Sequence, residues 1–412
     1  MIECNRFTLD NGLRVVHNYD ASTAMVAVNL LYDVGSRDES PELTGMAHLF
    51  EHLMFGGSIN VPNFDHELQI AGGKSNAFTS KDFTNFYDII PAQNIETALR
   101  IESDRMLQLA FSDKALTVQK SVVTEEFRQV CLNKPYGDIS HHLLPAIYKQ
   151  HPYGWPVIGK EISHIEKVTQ EDVKSFFYSH YAPNNAIMTI SGNVTFDKVK
   201  DLVYRWFEEI PRREIAARDY PQEPAQTEPR IVEAKASVPV PNPAITIAYR
   251  MDGYGTEQFY AADLITDLLS DGRSSILYRK LLMGSGLFSS IDASIQGYEE
   301  PGLLLISGHL TESGDKAIDK AISSINEIID EFSNTMVSEY DLTRALNRRE
   351  SGEMFESISY LNKAINMARC EIHDSDINEL MEPFRKFTPE LITKYSREIF
   401  QPKNSTTLIY NR

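Results

Sequence analysis

The chain alternates between stretches whose apolar residues recur every three or four positions and shorter runs with the length and composition of strands. Asp113–Asn133 is of the first kind. Leu116, Val123 and Phe127 recur at helical spacing, as do Val118 and Val122, and one long helix is expected there. Met46–Phe55 reads as a shorter apolar helix, and His141–Gln150 has a helical pattern. Val26–Tyr32, Ala186–Ser191, Gly302–Ser307 and Ser405–Tyr410 read as strands, and Lys74–Phe78 is strand-like.

These elements repeat. Val168-Thr169-Gln170-Glu171 opens a helix ending near Tyr181, and Pro183-Asn184-Asn185 turns into the strand Ala186–Ser191. Phe387-Thr388-Pro389-Glu390 opens a helix ending near Phe400, and Pro402-Lys403-Asn404 turns into Ser405–Tyr410. The offset is 219 residues (388 − 169), and within one residue it also relates Val26–Tyr32 to Ala244–Met251. Thr169 and Thr388 suit helix N-caps and Pro389 a first helical turn. Two copies of one α+β unit are therefore expected, each a mainly antiparallel sheet with helices packed on one face. Seven prolines lie from Pro211 to Pro243, counting both ends, a density that favours extended chain. The expected division is a domain over 1–213, a proline-rich linker over 214–243 whose ends can pair as edge strands, and a homologous domain over 244–412.

With 42% hydrophobic and 24% charged residues the chain can bury a sizeable core. A net charge of −18 argues against nucleic-acid binding, which wants basic surface. Cys4, Cys131 and Cys370 are few and far apart, so neither a disulfide framework nor a cysteine metal site follows. The thiols suit a reducing compartment, and the first residues lack a signal-peptide pattern, so a cytoplasmic location is expected. No run approaches 18 apolar residues, so no membrane partner is expected.

The candidate chemistry sits in His48-Leu49-Phe50-Glu51-His52. Residues four apart on a helix share a face, so two imidazoles can grip one metal ion, with Glu51 pointing to nearly the same side. This H-x-x-E-H order is the inverted zinc-protease motif. In that chemistry Zn2+ lowers the pKa of water to about 7, and Glu51 is the general base that passes the proton to the leaving amine. Catalytic zinc usually takes three protein ligands, so one more donor is required. Glu125 and Glu126 lie side by side on the long helix, about 100° apart, and only one can face the first helix. Glu126 shares the side of Val122 and Val123, where a carboxylate is unfavourable unless paired or metal-bound. The alternative is that both are surface charges, the usual fate of Glu. The repeat projects His48–His52 onto about Thr266–Ser270, which has no His, so the second copy lacks these ligands.

His48-x-x-Glu51-His52, followed by Val122-Val123-Thr124-Glu125-Glu126 with Glu126 74 residues after His52 (126 − 52), resembles the family of pitrilysin, insulysin and the mitochondrial processing peptidase. The resemblance runs over essentially the whole chain. It includes the opening hairpin around Asn11-Gly12, Gly35-Ser36-Arg37-Asp38-Glu39, Ser75-Asn76-Ala77-Phe78-Thr79, and His151–Gly159. It implies a zinc endopeptidase whose two domains form a half-shell, with Glu126 as third ligand and Asn76 and Ala77 on a strand that pairs with the substrate backbone. The family often has a second Glu seven residues before the third ligand. Gln119 stands there, which removes one charge from around the metal. Many relatives also carry an Arg and a Tyr in the second half. Ile276, Leu282 and Phe288-Ser289 depart from that pattern, while Arg273 and Tyr278 are nearby alternatives. Peptide substrates and a homodimer, or a heterodimer with a homologous subunit, are therefore expected. The alternative is a non-catalytic scaffold or regulatory subunit of such a heterodimer.

Overall fold

The structure is a computed structural model that describes residues 1–215 and 217–411. These form eleven strands: β1 (Asn5–Thr8), β2 (Arg14–Tyr19), β3 (Met25–Tyr32), β4 (Lys74–Thr79), β5 (Thr84–Pro91), β6 (Ala186–Gly192), β7 (Arg230–Lys235), β8 (Ala244–Met251), β9 (Phe288–Gln296), β10 (Gly302–Leu310) and β11 (Ser405–Asn411). The helices up to the middle of the chain are α1 (Met46–Met54), α2 (Phe64–Ile70), α3 (Ile95–Leu107), α4 (Asp113–Phe127), α5 (Ile139–Ile147), α6 (Ile162–Lys167), α7 (Gln170–His180) and α8 (Phe196–Phe207). Beyond it come α9 (Glu257–Ser270), α10 (Asp315–Asn334), α11 (Glu339–Glu356), α12 (Tyr360–Ile372), α13 (Glu382–Arg385) and α14 (Pro389–Ile399).

The strands make a six-stranded sheet, ordered β1-β2-β6-β3-β5-β4, and a five-stranded sheet, ordered β7-β11-β8-β10-β9. Each is antiparallel except for one pair, β2–β6 in the first and β7–β11 in the second. From β2 and from β7 onward the two orders correspond strand for strand. The 219-residue offset carries β3 onto β8 (25 to 244), β6 onto β11 (186 to 405) and α7 onto α14 (170 to 389). The repeat read from apolar spacing is thus a repeat of architecture. β7 lies inside the expected proline-rich linker and forms the edge of the second sheet.

The chain divides into two compact units, each drawing a helix from the other half of the sequence. The first comprises Met1–Phe127, Pro156–Tyr220 and Glu353–Leu380, the second Arg128–Trp155, Pro221–Gly352 and Met381–Arg412. The division expected at 213 and 243 is contiguous and does not coincide with these units. In the first unit, Val26, Val28, Leu30 and Tyr32 of β3 face a core shared with α1, α3 and α7. Ala27 and Leu31 face the other way, onto α12. In the second unit, Ile245, Ile247, Tyr249 and Met251 of β8 face α9, α10 and α14. Ala244 and Ala248 face α5. The thick helical layer lies on one face of each sheet, as expected, and one further helix covers the opposite face. That explains why β6 is buried along its whole length, since a strand covered on both sides loses the alternation of a half-exposed one.

β4 is different. It pairs only with β5, and its side chains alternate between exposed and half-buried. It is therefore an edge strand whose outer hydrogen-bonding groups are free of any sheet partner among the described residues. Among those residues no helix is long and apolar enough to cross a membrane.

Candidate metal centre

α1 owes its position to its apolar residues. Met46, Ala47, Leu49, Phe50, Leu53 and Met54 are buried, which leaves His48, Glu51 and His52 on the remaining, half-covered side. Its start is held from outside. The buried Glu39 carboxylate accepts hydrogen bonds from the backbone N–H groups of Gly45 (2.9 Å) and Ala47 (2.8 Å). A carboxylate there satisfies orphan donors and complements the positive end of the helix dipole. Gly45 has φ +88°, and a Cβ on it would lie 2.6 Å from Ile165 Cδ1 and 2.7 Å from the Ile158 carbonyl oxygen, so only glycine fits.

α4 packs against α1 and brings in the third side chain. Glu126 Oε2 lies 3.3 Å from His52 Nε2 and 3.8 Å from His48 Nε2. The ligand atoms of these three residues all fall within 4.8 Å of one another. Arms of about 2.0–2.1 Å in a tetrahedral zinc site would set neighbouring donors roughly 3.3 Å apart. Two imidazoles and a carboxylate at these separations therefore fit that ion. The protonation states fit as well. Burial pushes the His48 imidazole down to about 4, and the hydrogen bond with His52 holds the Glu126 carboxyl below its ordinary value. His48 is thereby biased towards neutral imidazole and Glu126 towards ionised carboxylate, the forms that bind a cation.

Glu51 stands beside the cluster with burial raising its carboxyl. Its Oε2 accepts a 2.5 Å hydrogen bond from Thr79 Oγ1 at the end of β4. Asn76 and Ala77 lie on that same edge strand. Asn76 is exposed, and its Oδ1 accepts from the Ala77 backbone N–H (2.9 Å); Ala77 packs half-buried against the core. Gln119 lies two turns before Glu126 on α4 and is half-buried; its side chain makes no hydrogen bond among the described residues.

Two expectations need correction. Val118 and Val122 are 47% and 45% exposed, so they do not belong to the packed side of α4. Glu126 shares its side with Val123, which is fully buried, while Glu125 is exposed. The two overlapping apolar spacings run down different faces of α4, and only the one through Val123 and Phe127 meets the core. The α-helix also ends at Phe127 and continues as a π-helical turn, Arg128–Leu132. His48 Nδ1 is buried without a hydrogen-bond partner among the described residues. The sequence alone does not single out Glu39 or Thr79. Both lie in stretches noted above, but neither spacing nor residue type revealed that one caps α1 and the other holds Glu51.

The second unit handles the corresponding place with ion pairs. Asp263 and Asp267 on α9 flank Arg349 of α11, at 2.8 and 2.7 Å, and Asp271 pairs with Arg348. A guanidinium thus ties α9 to α11, whereas in the first unit three ligand atoms converge between α1 and α4. Arg349→Met is expected to lower unfolding stability by about 2–4 kcal/mol, because two half-buried carboxylates lose their counter-charge; urea unfolding measures it. Burial raises the Asp267 carboxyl to about 6. The folded state therefore holds this proton more tightly than the unfolded chain, and the resulting stability is complete below about pH 4 and lost as pH rises through 6. The parent's stability relative to Asp267→Asn is expected to fall between about pH 4 and pH 7. Tyr278, one alternative for the missing Arg/Tyr pair, opens a π-helical turn in this unit, and Arg273 is exposed.

The relatives found by comparison with known proteins are named as peptidases. Residues 14–161 match the family described as insulinase (peptidase family M16), and residues 167–349 match the peptidase M16 inactive domain. The chain is 28% identical over 415 residues to the zinc protease PqqE of Helicobacter pylori, covering 97% of this chain and 91% of that protein. It is 23% identical to the uncharacterized zinc protease YmxG of Bacillus subtilis, covering 98% and 97%. The crystal structure of a protease from Helicobacter pylori superposes with a TM-score of 0.93 at 25% identity and full coverage of both chains.

Proposed function

We infer that this chain, which belongs to peptidase family M16 and is of its small two-domain type, is a zinc-dependent endopeptidase acting on peptides or unfolded polypeptide segments. The observation that carries this reading is the convergence of His48, His52 and Glu126 within 4.8 Å, with Glu51 beside them. The first three would hold the ion. When bound, zinc supplies a Lewis acid that polarises a carbonyl and makes a water acidic near neutral pH.

The chain's own groups do the rest. Glu51, partly desolvated, accepts a proton from the attacking water and delivers it to the nitrogen of the departing amine. β4 offers its open edge to an extended peptide, so that substrate backbone adds to the sheet and is aligned past Glu51, with Asn76 and Ala77 in the contacting strand. Gln119 lies two turns before Glu126 on α4 and contributes no charge there. The second unit, with carboxylates and arginines in place of imidazoles, is structural.

We further propose that two copies, or this chain and a homologous subunit, close two half-shells into a chamber, the partner compensating for the missing Arg/Tyr pair. Cys4 and Cys370, which form no disulfide, agree with a cytoplasmic location. The decisive test is cleavage of a peptide mixture with zinc measured on the same sample. One zinc per chain with endopeptidase products supports the reading. A chain that takes up no zinc when the metal is plentiful is instead a scaffold. Full activity as a monomer would remove the two-subunit chamber.

A further inference from the structure

The hydroxyl of Thr79 is placed by the fold on both of its sides. On the strand side, Thr79 is the last residue of β4 and pairs with Thr84, whose own hydroxyl donates to the Val34 carbonyl (2.9 Å) and is fully buried. The turn that follows is closed by the Ser80 N–H donating to the Phe83 carbonyl (2.8 Å). On the helix side, Glu51 sits on α1, whose start is held by Glu39.

These two supports belong to one frame. Just before Glu39, the N–H groups of Ser36 and Arg37 donate to the carbonyls of Ser80 (3.1 Å) and Lys81 (3.0 Å), directly after Thr79. The approach is so close that a Cβ on Gly35 would fall 2.4 Å from the Lys81 carbonyl oxygen. One segment, Gly35–Glu39, thereby clamps both the end of β4 and the start of α1. The 2.5 Å contact between Thr79 Oγ1 and Glu51 Oε2 is built in by rigid elements, as a preorganised site requires. Branching at Cβ further limits the threonine rotamer. The backbone N–H of the same Thr79 also donates to the Glu51 carboxylate, so the end of β4 holds it through one residue.

We propose that Thr79 is a positioning residue for Glu51, holding Oε2 so that Oε1 faces the proton to be moved, and linking the alignment of the base to the edge strand on which substrate seats. The inference rests on the endopeptidase reading and deepens it. A hydroxyl that only filled space would be replaceable by a methyl group of the same shape, so the critical variant is Thr79→Val, with Thr79→Ser as the conservative control.

The experiment measures kcat and KM on a peptide cut by the zinc-loaded parent, zinc content for every form, and peptide affinity in the Glu51→Gln background with and without Thr79→Val. Thr79→Val is expected to lower kcat by about 10- to 100-fold with KM and peptide affinity within about twofold, zinc unchanged, and Thr79→Ser within about threefold of the parent. A Thr79→Val form that keeps more than about a third of the parent kcat overturns the proposal. So does a loss that appears equally in Thr79→Ser, or in peptide affinity or zinc content, since that is the signature of a disturbed strand. A zinc-loaded parent that cuts no peptide overturns the endopeptidase reading and this inference with it, whereas a parent that cuts beside an equally active Thr79→Val overturns this inference alone.

Discussion

Glu51→Gln is expected to reduce kcat by about a thousand- to ten-thousand-fold, equivalent to about 4–5.5 kcal/mol of lost transition-state stabilisation, while zinc stays bound. The amide keeps the size of the carboxylate and can still interact with Thr79, so α1 and its apolar contacts are undisturbed. What disappears is a group able to accept the proton of water and release it to a leaving amine. None of the three ligand atoms belongs to Glu51, which is why metal content and activity should separate in this variant. Steady-state cleavage of a fluorogenic peptide, with zinc measured on the same preparation, gives both quantities. Cleavage at the parental rate would remove Glu51 from the mechanism. Loss of zinc together with activity would show that Glu51 is needed to build the site.

Removing the metal or one of its ligands is expected to have the second large effect, and it should be visible without substrate. A ligand present at about a thousand times its dissociation constant stabilises the folded state by about 4 kcal/mol. For a unit of some two hundred residues, about 2–4 °C accompany each kcal/mol, so chelation is expected to lower the melting temperature of the zinc-loaded protein by roughly 8–16 °C. The ion would tie α1 to α4, and without it the imidazoles and Glu126 meet only through one another. Glu126→Gln should bind zinc at least about a hundredfold more weakly, and its melting temperature should hardly respond to chelator. Calorimetric scans with and without zinc check both statements. A parental protein whose melting is indifferent to zinc would argue that the three side chains do not grip an ion. In the second unit Arg349 already ties the two corresponding helices, so zinc should leave that part of the unfolding unchanged.

The parts of this arrangement that were legible in the sequence share a property. His48, Glu51 and His52 lie within five residues, and helical geometry alone puts them on one side. The repeat was legible because each copy must bury the same apolar surfaces, so β3 and β8, β6 and β11, α7 and α14 keep their spacing. Glu126 was assigned to the side of Val122 and Val123, but Val122 is open to solvent and the buried neighbour is Val123. A helix with two apolar spacings does not declare which one packs. α12 and α5 were out of reach in another way. Nothing in their own residues says which sheet they cover, and each belongs to the unit built mainly from the other half of the chain.

The amino-acid sequence by itself determined the His-x-x-Glu-His motif, the doubled α+β scaffold and the absence of His at the matching place in the second copy, because helix and strand periods are local and the 219-residue offset is read along the chain itself. Only the tertiary structure decided that Val123 rather than Val122 is the buried neighbour of Glu126, that Thr79 and Glu39 hold Glu51 and its helix, and that each sheet is covered on both faces. These depend on contacts between residues dozens to hundreds of positions apart. Such contacts are selected by packing of the whole unit, which no local pattern encodes.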